Sequence, residues 1–263
     1  MSRSIPVVVL SLAFAITLAC ASAGAAEWGN LSGRFIYDGK PPAPQKVNVD
    51  KDKEFCGKTN LVEETLVVGK DQGLGNVILY LYLKRKDKVA IHPSYEKIAG
   101  NKVLLNNDKC RFEPHVSLLW TKQTLVLGNL DRVGHNTKID LFNNNSVNPI
   151  IPAGAQLDQK FEVAERLPVR VSCSIHPWMS AWVVVKDNPY SAVSGADGKF
   201  EIKNLPAGKL KFQAWHEKSG YVKTIKLGGK KKTWKKGRFT VTIKPGETTD
   251  LGDIRVSPSL FKK

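Results

Sequence analysis

Short segments with apolar residues at every second position recur along the chain beyond its N-terminal segment. They include GRFIY, NVILYLYL, KVLL, KFEV, VRVSC, KFEIK, KLKFQAW and RFTVTI. Alternation with a period of two is typical of strands with one buried face, and the longer spacing typical of amphipathic helices is nearly absent. The pattern therefore predicts an all-β chain.

Motifs that favour turns separate these segments. They include Asp197-Gly198, the stretch NLPAG, and Lys244-Pro245-Gly246. Glycine and proline supply the backbone conformations that tight turns need. Many short strands separated by turns are typical of β-sandwiches, so we expect one sandwich or a pair of them.

The N-terminal segment is apolar from Ile5 to Ala19, follows a single Arg3, and carries no further charge until Glu27. This arrangement is typical of a secretory signal peptide, so we expect residues 1–26 to be one and the protein to be periplasmic or secreted. A membrane-spanning helix is the alternative, but such a helix needs about 20 apolar residues. The other alternative is a lipid anchor at Cys20, for which TLAC is a poor match, and we expect membrane association only through such an anchor.

Export changes what is expected of the 4 cysteines. Cys20 would be removed with the signal peptide, which leaves Cys56, Cys110 and Cys173. In an oxidising compartment two of these are expected to pair. We expect a disulfide between Cys56 and Cys110, with two free thiols as the alternative, and Cys173 held as a thiolate by a metal.

The chain is strongly basic, with 40 Lys and Arg against 24 Asp and Glu and a net charge of +16. Such a charge attracts anionic partners. We expect an acidic redox protein, such as a cytochrome c or a dehydrogenase, or an anionic surface, and no nucleic acid because the chain is exported. The densest basic stretch, KTIKLGGKKKTWKKGRF, predicts either a solvated hairpin loop or a docking patch for such a partner.

The stretch CSIHPWM places Cys173, His176 and Met179 within one short loop. Thiolate, imidazole and a weak thioether form the ligand set of a type 1 (blue) copper site, which needs a second histidine. His135 stands at the start of another alternating segment and is the candidate. Zinc fits this set poorly, since its sites do not normally recruit methionine. We therefore expect one type 1 copper ion, with a buried thiol beside two packing residues as the alternative.

The same region resembles a known family. CSIHPWM has the compact Cys-x-x-His-x-x-Met spacing of amicyanin, and CRFEPHVSLLWTKQTLVLGNLDRVGHN resembles the strands that precede it in cupredoxins, the blue copper proteins that include amicyanin and plastocyanin. The resemblance implies a Greek-key β-sandwich with His135, Cys173, His176 and Met179 as copper ligands. It also implies that Asn136 ties the two ligand segments together by hydrogen bonds.

A second resemblance lies outside this region. SGADGKFEIKNLPAGKLKFQAWHE is similar to the central hairpin of carboxypeptidase regulatory-like domains, which are small transthyretin-like sandwiches, and GRFIYDGKPP and GLGNVILYLYL are similar to their early strands. The two resemblances together imply a cupredoxin sandwich inserted in, or packed on, a transthyretin-like sandwich. Residues 27–100 and 188–263 would supply the latter, with the Lys-rich loop in the second part, and residues 101–187 the cupredoxin.

The resemblance to cupredoxins implies an exported protein that carries single electrons. The electron would leave through an exposed edge of His176, ringed by Pro177 and Trp178. A periplasmic copper carrier, or a structural surface module with a vestigial cupredoxin, are the alternatives. The chain has no His-x-His pair of the kind that multicopper oxidases use for further copper ions, so we do not expect an enzyme. The remaining histidines stand singly and are expected to be structural, with His115 the best candidate for another role: His92, His115 and His216.

Overall fold

The computed structural model describes Met1 and residues 28–84 and 86–262. The rest of the expected signal peptide therefore lies outside the described residues. Most regular structure in the described ranges is strand, which confirms the predicted all-β class. None of the helices in these ranges is long and apolar enough to cross a membrane.

The regular elements share a modest length, and the strands run from two to ten residues. In chain order the strands are β1 (Trp28–Tyr37), β2 (Ile78–Leu81), β3 (Lys102–Asp108), β4 (Arg111–Glu113), β5 (Val116–Trp120), β6 (Thr124–Asn129), β7 (His135–Asn136), β8 (Lys138–Ile139), β9 (Ile150–Ile151), β10 (Gln156–Gln159), β11 (Val169–Ser172), β12 (Ser180–Lys186), β13 (Ser191–Val193), β14 (Lys199–Pro206), β15 (Gly208–His216), β16 (Gly220–Tyr221), β17 (Thr224–Leu227), β18 (Lys230–Thr233), β19 (Arg238–Ile243) and β20 (Thr248–Val256). The helices are α1 (Lys53–Cys56) and the 3-10 turns Lys70–Gln72, Pro93–Ile98, Lys235–Gly237 and Pro258–Phe261.

Strands from both ends of the described chain form one pair of sheets, which we call the outer sandwich. One sheet has the order β14-β1-β20-β17-β18, and the other has β13-β2-β15-β16 with β19 paired to β15. β1 pairs antiparallel with β14 and parallel with β20. The inward side chains of both sheets share one buried core that includes Phe35, Leu79, Phe212 and Ile254.

Strands within residues 102–186 form a second pair of sheets, which we call the inner sandwich. Their orders are β10-β6-β3-β4 and β5-β12-β11-β8, and β7 and β9 make a small separate sheet. Their core contains Leu105, Phe112, Leu127 and Val183, together with Cys173 and Met179 of the predicted site.

The two sandwiches pack face to face through β5 and β12 of one and β2 and β15 of the other. β12 sends Val183 to the inner core and Val184 to the interface, while β2 sends Leu79 to the outer core and Tyr80 to the interface. Trp182 and Trp215 meet there with ring centroids 4.5 Å apart. Strands buried on both faces read as nearly continuous apolar runs, which explains NVILYLYL and AWVVV.

The segment between β1 and β2 sends residues 46–63, here called the strap, across to the inner sandwich. A disulfide joins Cys56 of α1 to Cys110 beside β4, so the expected pairing is confirmed. Val49 and Leu61 of the strap pack against the inner core. The strap thus belongs to the surroundings of the predicted metal site although it lies far from that site in sequence.

One predicted strand is absent. KFEV, residues 160–163, forms no strand, although Phe161 is buried. The side chain of Asn144 bonds to both backbone hydrogen-bonding groups of Val163. Its Oδ1 accepts from the Val163 N–H at 3.1 Å, and its Nδ2 donates to the Val163 carbonyl at 2.7 Å. Side-chain hydrogen bonds of this kind compete with strand pairing, so alternation alone is misleading here.

Candidate metal centre

The loop that carries three predicted ligands joins β11 to β12. The two strands pair in register up to Ser172 and Ser180, so Cys173 and Met179 stand at the two ends of the loop. The N–H of Cys173 donates to the Met179 carbonyl at 3.3 Å, and the N–H of Met179 donates to the His176 carbonyl at 2.9 Å. The hairpin therefore closes a tight turn that brings the thiol and the imidazole to the same side.

His135 reaches this loop from β7, where it pairs with Ile151 of β9. The next residue, Asn136, ties the two segments together, as the family resemblance implied. Its Oδ1 accepts from the N–H groups of Ser174 at 2.7 Å and Ile175 at 3.2 Å. The relative placement of His135 and the loop is thus fixed by hydrogen bonds between the Asn136 side chain and the loop backbone, and not by the ligand atoms alone.

Three of the predicted ligands meet. His176 Nδ1 lies 2.9 Å from His135 Nδ1 and 3.7 Å from Cys173 Sγ, and all three ligand atoms lie within 4.8 Å of one another. Both histidines are fully buried, and Cys173 and Met179 are 2 % and 1 % exposed. Met179 packs in the same core cluster as Cys173.

Each histidine is held from behind by a carboxylate. His135 Nε2 donates to Asp131 Oδ2 at 2.8 Å, and His176 Nε2 donates to Asp52 Oδ2 at 2.7 Å. An ionised carboxylate only accepts hydrogen bonds, so Nε2 of each ring carries the proton and Nδ1 presents a lone pair. Carboxylates that orient metal-binding histidines in this way are common around metal sites.

The electrostatics favour a thiolate. Burial alone would raise the pKa of Cys173, but the adjacent His135 and His176 side chains and hydrogen bonds from backbone N–H groups outweigh it and lower the pKa to about 6. Burial also opposes the charged form of His135, yet its bond to Asp131 raises the pKa of the imidazole above its usual value. The pKa of Asp131 falls in spite of burial, since His135 and the N–H groups of Cys110 and Lys109 all donate to it.

These residues fit a soft metal ion. Two ligand atoms bound to one ion at about 2.0 to 2.3 Å must lie within about 4.6 Å of each other, and the two separations measured here, 2.9 and 3.7 Å, satisfy this condition. The Nδ1 lone pairs of His135 and His176 face each other beside the Cys173 thiolate, and no hydrogen atom lies between the two nitrogens. A cation, or a shared proton, makes such a contact favourable, and thiolate with imidazole suits copper.

The expectation of an exposed His176 edge is wrong. His176 is fully buried, because the strap lies over its Nε2 edge and Asp52 bonds to it. Trp178 is half-buried, and its Nε1 donates to the Cys110 carbonyl at 3.0 Å, so the same disulfide-bonded region also holds the rim of the loop. Pro177 is exposed, as expected.

The remaining histidines lie outside the cluster. His115 Nε2 bonds to Glu217 Oε1 at 2.6 Å, which links the inner sandwich to the outer one, and Trp182 Nε1 donates to the other Glu217 oxygen at 3.0 Å. Despite burial, the bond to Glu217 raises the pKa of His115. His216 is fully buried, and His92 caps a 3-10 turn by accepting from the Ser94 N–H.

Sequence reasoning missed both carboxylates. Asp131 stands four residues before His135 and could have been singled out as its neighbour. Asp52 is separated from His176 by 124 residues, and no local signal connects the two. Only the disulfide between Cys56 and Cys110, which was expected, indicated that this part of the chain would approach the site.

No protein-family model matches this sequence, and no curated protein matches it either. Among solved structures, the chain is similar to a purple cupredoxin from Nitrosopumilus maritimus, with 22% identity over 33% of this chain and 99% of that chain and a TM-score of 0.27. A reduced Cu(I) variant of amicyanin shows 20% identity over 38% of this chain and 100% of that chain, with a TM-score of 0.30.

A copper-containing nitrite reductase from Thermus scotoductus shows 17% identity over 40% of this chain and only 25% of that chain, with a TM-score of 0.30. At these TM-scores the likeness supports no conclusion about this chain. The function proposed below therefore rests on the geometry of the site.

Proposed function

We propose that this protein is an exported type 1 copper protein that carries single electrons between redox partners. The observation that carries the proposal is that His135 Nδ1, His176 Nδ1 and Cys173 Sγ lie within 4.8 Å of one another and that all three residues are buried. Met179 lies in the same hydrophobic cluster as Cys173 and is the candidate for a weak thioether ligand. One thiolate, two imidazoles and one thioether are the ligands of electron-transfer copper sites.

The chain's own residues would keep the centre rigid. Copper, when bound, supplies a one-electron couple. The carboxylates of Asp131 and Asp52 hold the two rings with Nδ1 inward, and Asn136 fixes the distance between β7 and the loop. Residues held in this way move little when charge changes, which keeps the cost of reorganisation small.

Burial favours electron transfer over the copper-carrier alternative. A carrier must release its ion to another protein, whereas here the predicted ligands are at most 2 % exposed and are restrained by hydrogen bonds from several segments. The ligands also include the Cys173 thiolate. The folded chain already favours loss of the proton from the Cys173 thiol, because the pKa of this group is lowered.

The ligand loop and the small sheet beside it expose apolar side chains. Ile175 and Pro177 of the ligand loop are exposed, and Ile150, which is 72 % exposed, pairs with Asn136 in the small sheet. Because His176 is buried, we propose that a redox partner docks on this surface and not on an exposed histidine. An acidic partner suits the net charge of +16 through long-range attraction.

We also propose that the outer sandwich is a carboxypeptidase regulatory-like, transthyretin-like domain, which its two sheets around a single core support. The Lys-rich hairpin, residues 223–238, carries the fully exposed strand β18 at the edge of one sheet. The other sheet of that sandwich lies between this hairpin's sheet and the inner sandwich. Since packed sheets are about 10 Å apart, these lysines suit attachment to an anionic surface better than contact at the metal centre.

The experiment that tests the function is an absorption and EPR spectrum of the exported chain loaded with Cu(II), beside Cys173→Ala. We expect an intense visible thiolate-to-copper band and a small parallel hyperfine splitting, both bleached by a mild reductant. The substitution removes the thiolate and should abolish the band. A pale spectrum that Cys173→Ala leaves unchanged would contradict the proposal.

A matched control truncates another small buried side chain of the same sandwich. Ser117 of β5 is 1 % exposed and lies outside the cluster, so Ser117→Ala should leave the spectrum unchanged. Loss of the band in both variants would show that it depends on general packing and not on Cys173.

A further inference from the structure

Asp52 has an unusual local conformation. It precedes α1 as its N-cap residue, with φ 43 and ψ 44 in the left-handed region, and its side chain makes no capping bond. Aspartate at an N-cap normally accepts from the first free N–H groups of the helix. Here the carboxylate instead accepts from His176 Nε2 at 2.7 Å.

The backbone around Asp52 is held so that its side chain points to His176. The Asp52 carbonyl accepts from the N–H groups of Phe55 at 3.0 Å and Cys56 at 2.8 Å, and Cys56 is bonded to Cys110 of the inner sandwich. Left-handed backbone costs energy for residues other than glycine and persists where the surrounding structure requires it. The disulfide and the helical turn supply that requirement.

We infer that Asp52 is a positioning residue of the metal centre, supplied by the strap from 124 residues away to orient His176 and to cover its outer edge. The inference rests on the proposed metal site, because it assigns a role toward that site. Asp52 would do for His176 what Asp131 does for His135, so that both rings present Nδ1 to the same ion.

The two carboxylates differ in exposure. The Asp131 side chain is 2 % exposed, whereas that of Asp52 is 42 % exposed. Removing the Asp52 carboxylate therefore does not open the core. It exposes the Nε2–H of His176, which Asp52 covers, to water, and water does not hold the ring in one tautomer and one orientation as the carboxylate does.

The test compares Asp52→Gly with the unmodified chain, since glycine adopts the left-handed conformation without strain. Cu(II) affinity is measured by competition with a chelator, and the imidazole nitrogens of the metal-free chain are observed by ¹⁵N NMR. We expect Cu(II) affinity to fall by about 10- to 100-fold, the usual effect of losing such a partner. In the metal-free chain, we expect the His176 signals to lose the pattern of a ring protonated only at Nε2.

Two further variants complete the test. Asp52→Asn keeps an oxygen acceptor without the charge, so it should restore the His176 tautomer and recover part of the affinity. Asp71→Gly is the matched control: Asp71 also has left-handed backbone, with φ 53, but lies in a 3-10 turn beside the outer sandwich. It should change neither readout.

Unchanged affinity and unchanged His176 signals in Asp52→Gly would overturn the inference. The two readouts also separate this inference from the proposed function. If the unmodified chain binds no Cu(II), the proposed function fails, while the metal-free NMR signals still show whether Asp52 fixes the ring of His176.

Discussion

Reduction of the Cys56–Cys110 disulfide should lower the stability of the inner sandwich by an amount that follows from the chain separation. The cross-link spans 54 residues. In the chain-entropy model, closing a loop of that length removes unfolded-state entropy worth about 4 kcal/mol at 25 °C. The free energy of unfolding should therefore fall by about 4 kcal/mol when the bond is opened.

Urea unfolding at 25 °C, with and without a thiol reductant, measures this difference. Tryptophan fluorescence is a suitable signal, because Trp178 donates to the carbonyl of Cys110 and its surroundings therefore change when the inner sandwich unfolds. The double variant Cys56→Ala with Cys110→Ala is the control. It has no bond to reduce, so reductant should not change its unfolding curve.

A difference below about 1 kcal/mol between the free energies of unfolding of the oxidised and reduced chains would contradict this prediction. It would mean that the unfolded chain already keeps these segments together, so that the cross-link constrains little.

A second consequence follows if Asp52 acts as inferred. Because Cys56 anchors the turn that presents Asp52, the double alanine variant should also bind Cu(II) more weakly.

Two more predictions concern charge. Burial lowers the pKa of His216 from 6.5 to about 4. As the pH falls through this range, His216 is protonated in the unfolded chain before it is protonated in the folded chain. The free energy of unfolding should therefore fall by about 3 kcal/mol between pH 6.5 and pH 4. Urea unfolding across this range should show a flatter dependence for His216→Gln, and equal curves would contradict the assignment. Reversing the charge of Lys230, Lys231 and Lys232 should make the protein elute from a sulfated polysaccharide column at a lower salt concentration. The copper spectrum should stay unchanged. Elution at the same salt concentration would contradict a role for β18 in binding anionic surfaces. The matched control reverses three exposed lysines elsewhere: Lys88, Lys97 and Lys160.

The sequence predicts those parts of the fold and site that depend on local spacing. Cys173, His176 and Met179 lie on one turn because β11 and β12 pair on either side of it, and Asn136 could be assigned because it follows His135 directly. The two-sided burial of β2 and β12 was not predictable, since it depends on the contact between the sandwiches. Alternation of apolar residues also fails to predict the structure of KFEV, where the side chain of Asn144 bonds to the Val163 backbone.

The wrong expectation about His176 has the same physical origin. Whether a side chain is exposed depends on every segment that packs over it, and the segment that matters here comes from another part of the chain. A motif determines which atoms can bind a metal, but a cross-link such as Cys56–Cys110 determines which surface remains open.

The pairing of β1 with β20 has a consequence for the order in which the protein assembles. Chains are synthesised from the N-terminus, so β1 emerges long before β14 and β20, its two neighbours in the sheet. All strands of the inner sandwich lie within residues 102–186 and can pair in the meantime. During that interval β1 has two open edges, and an open edge can pair with a strand of another chain.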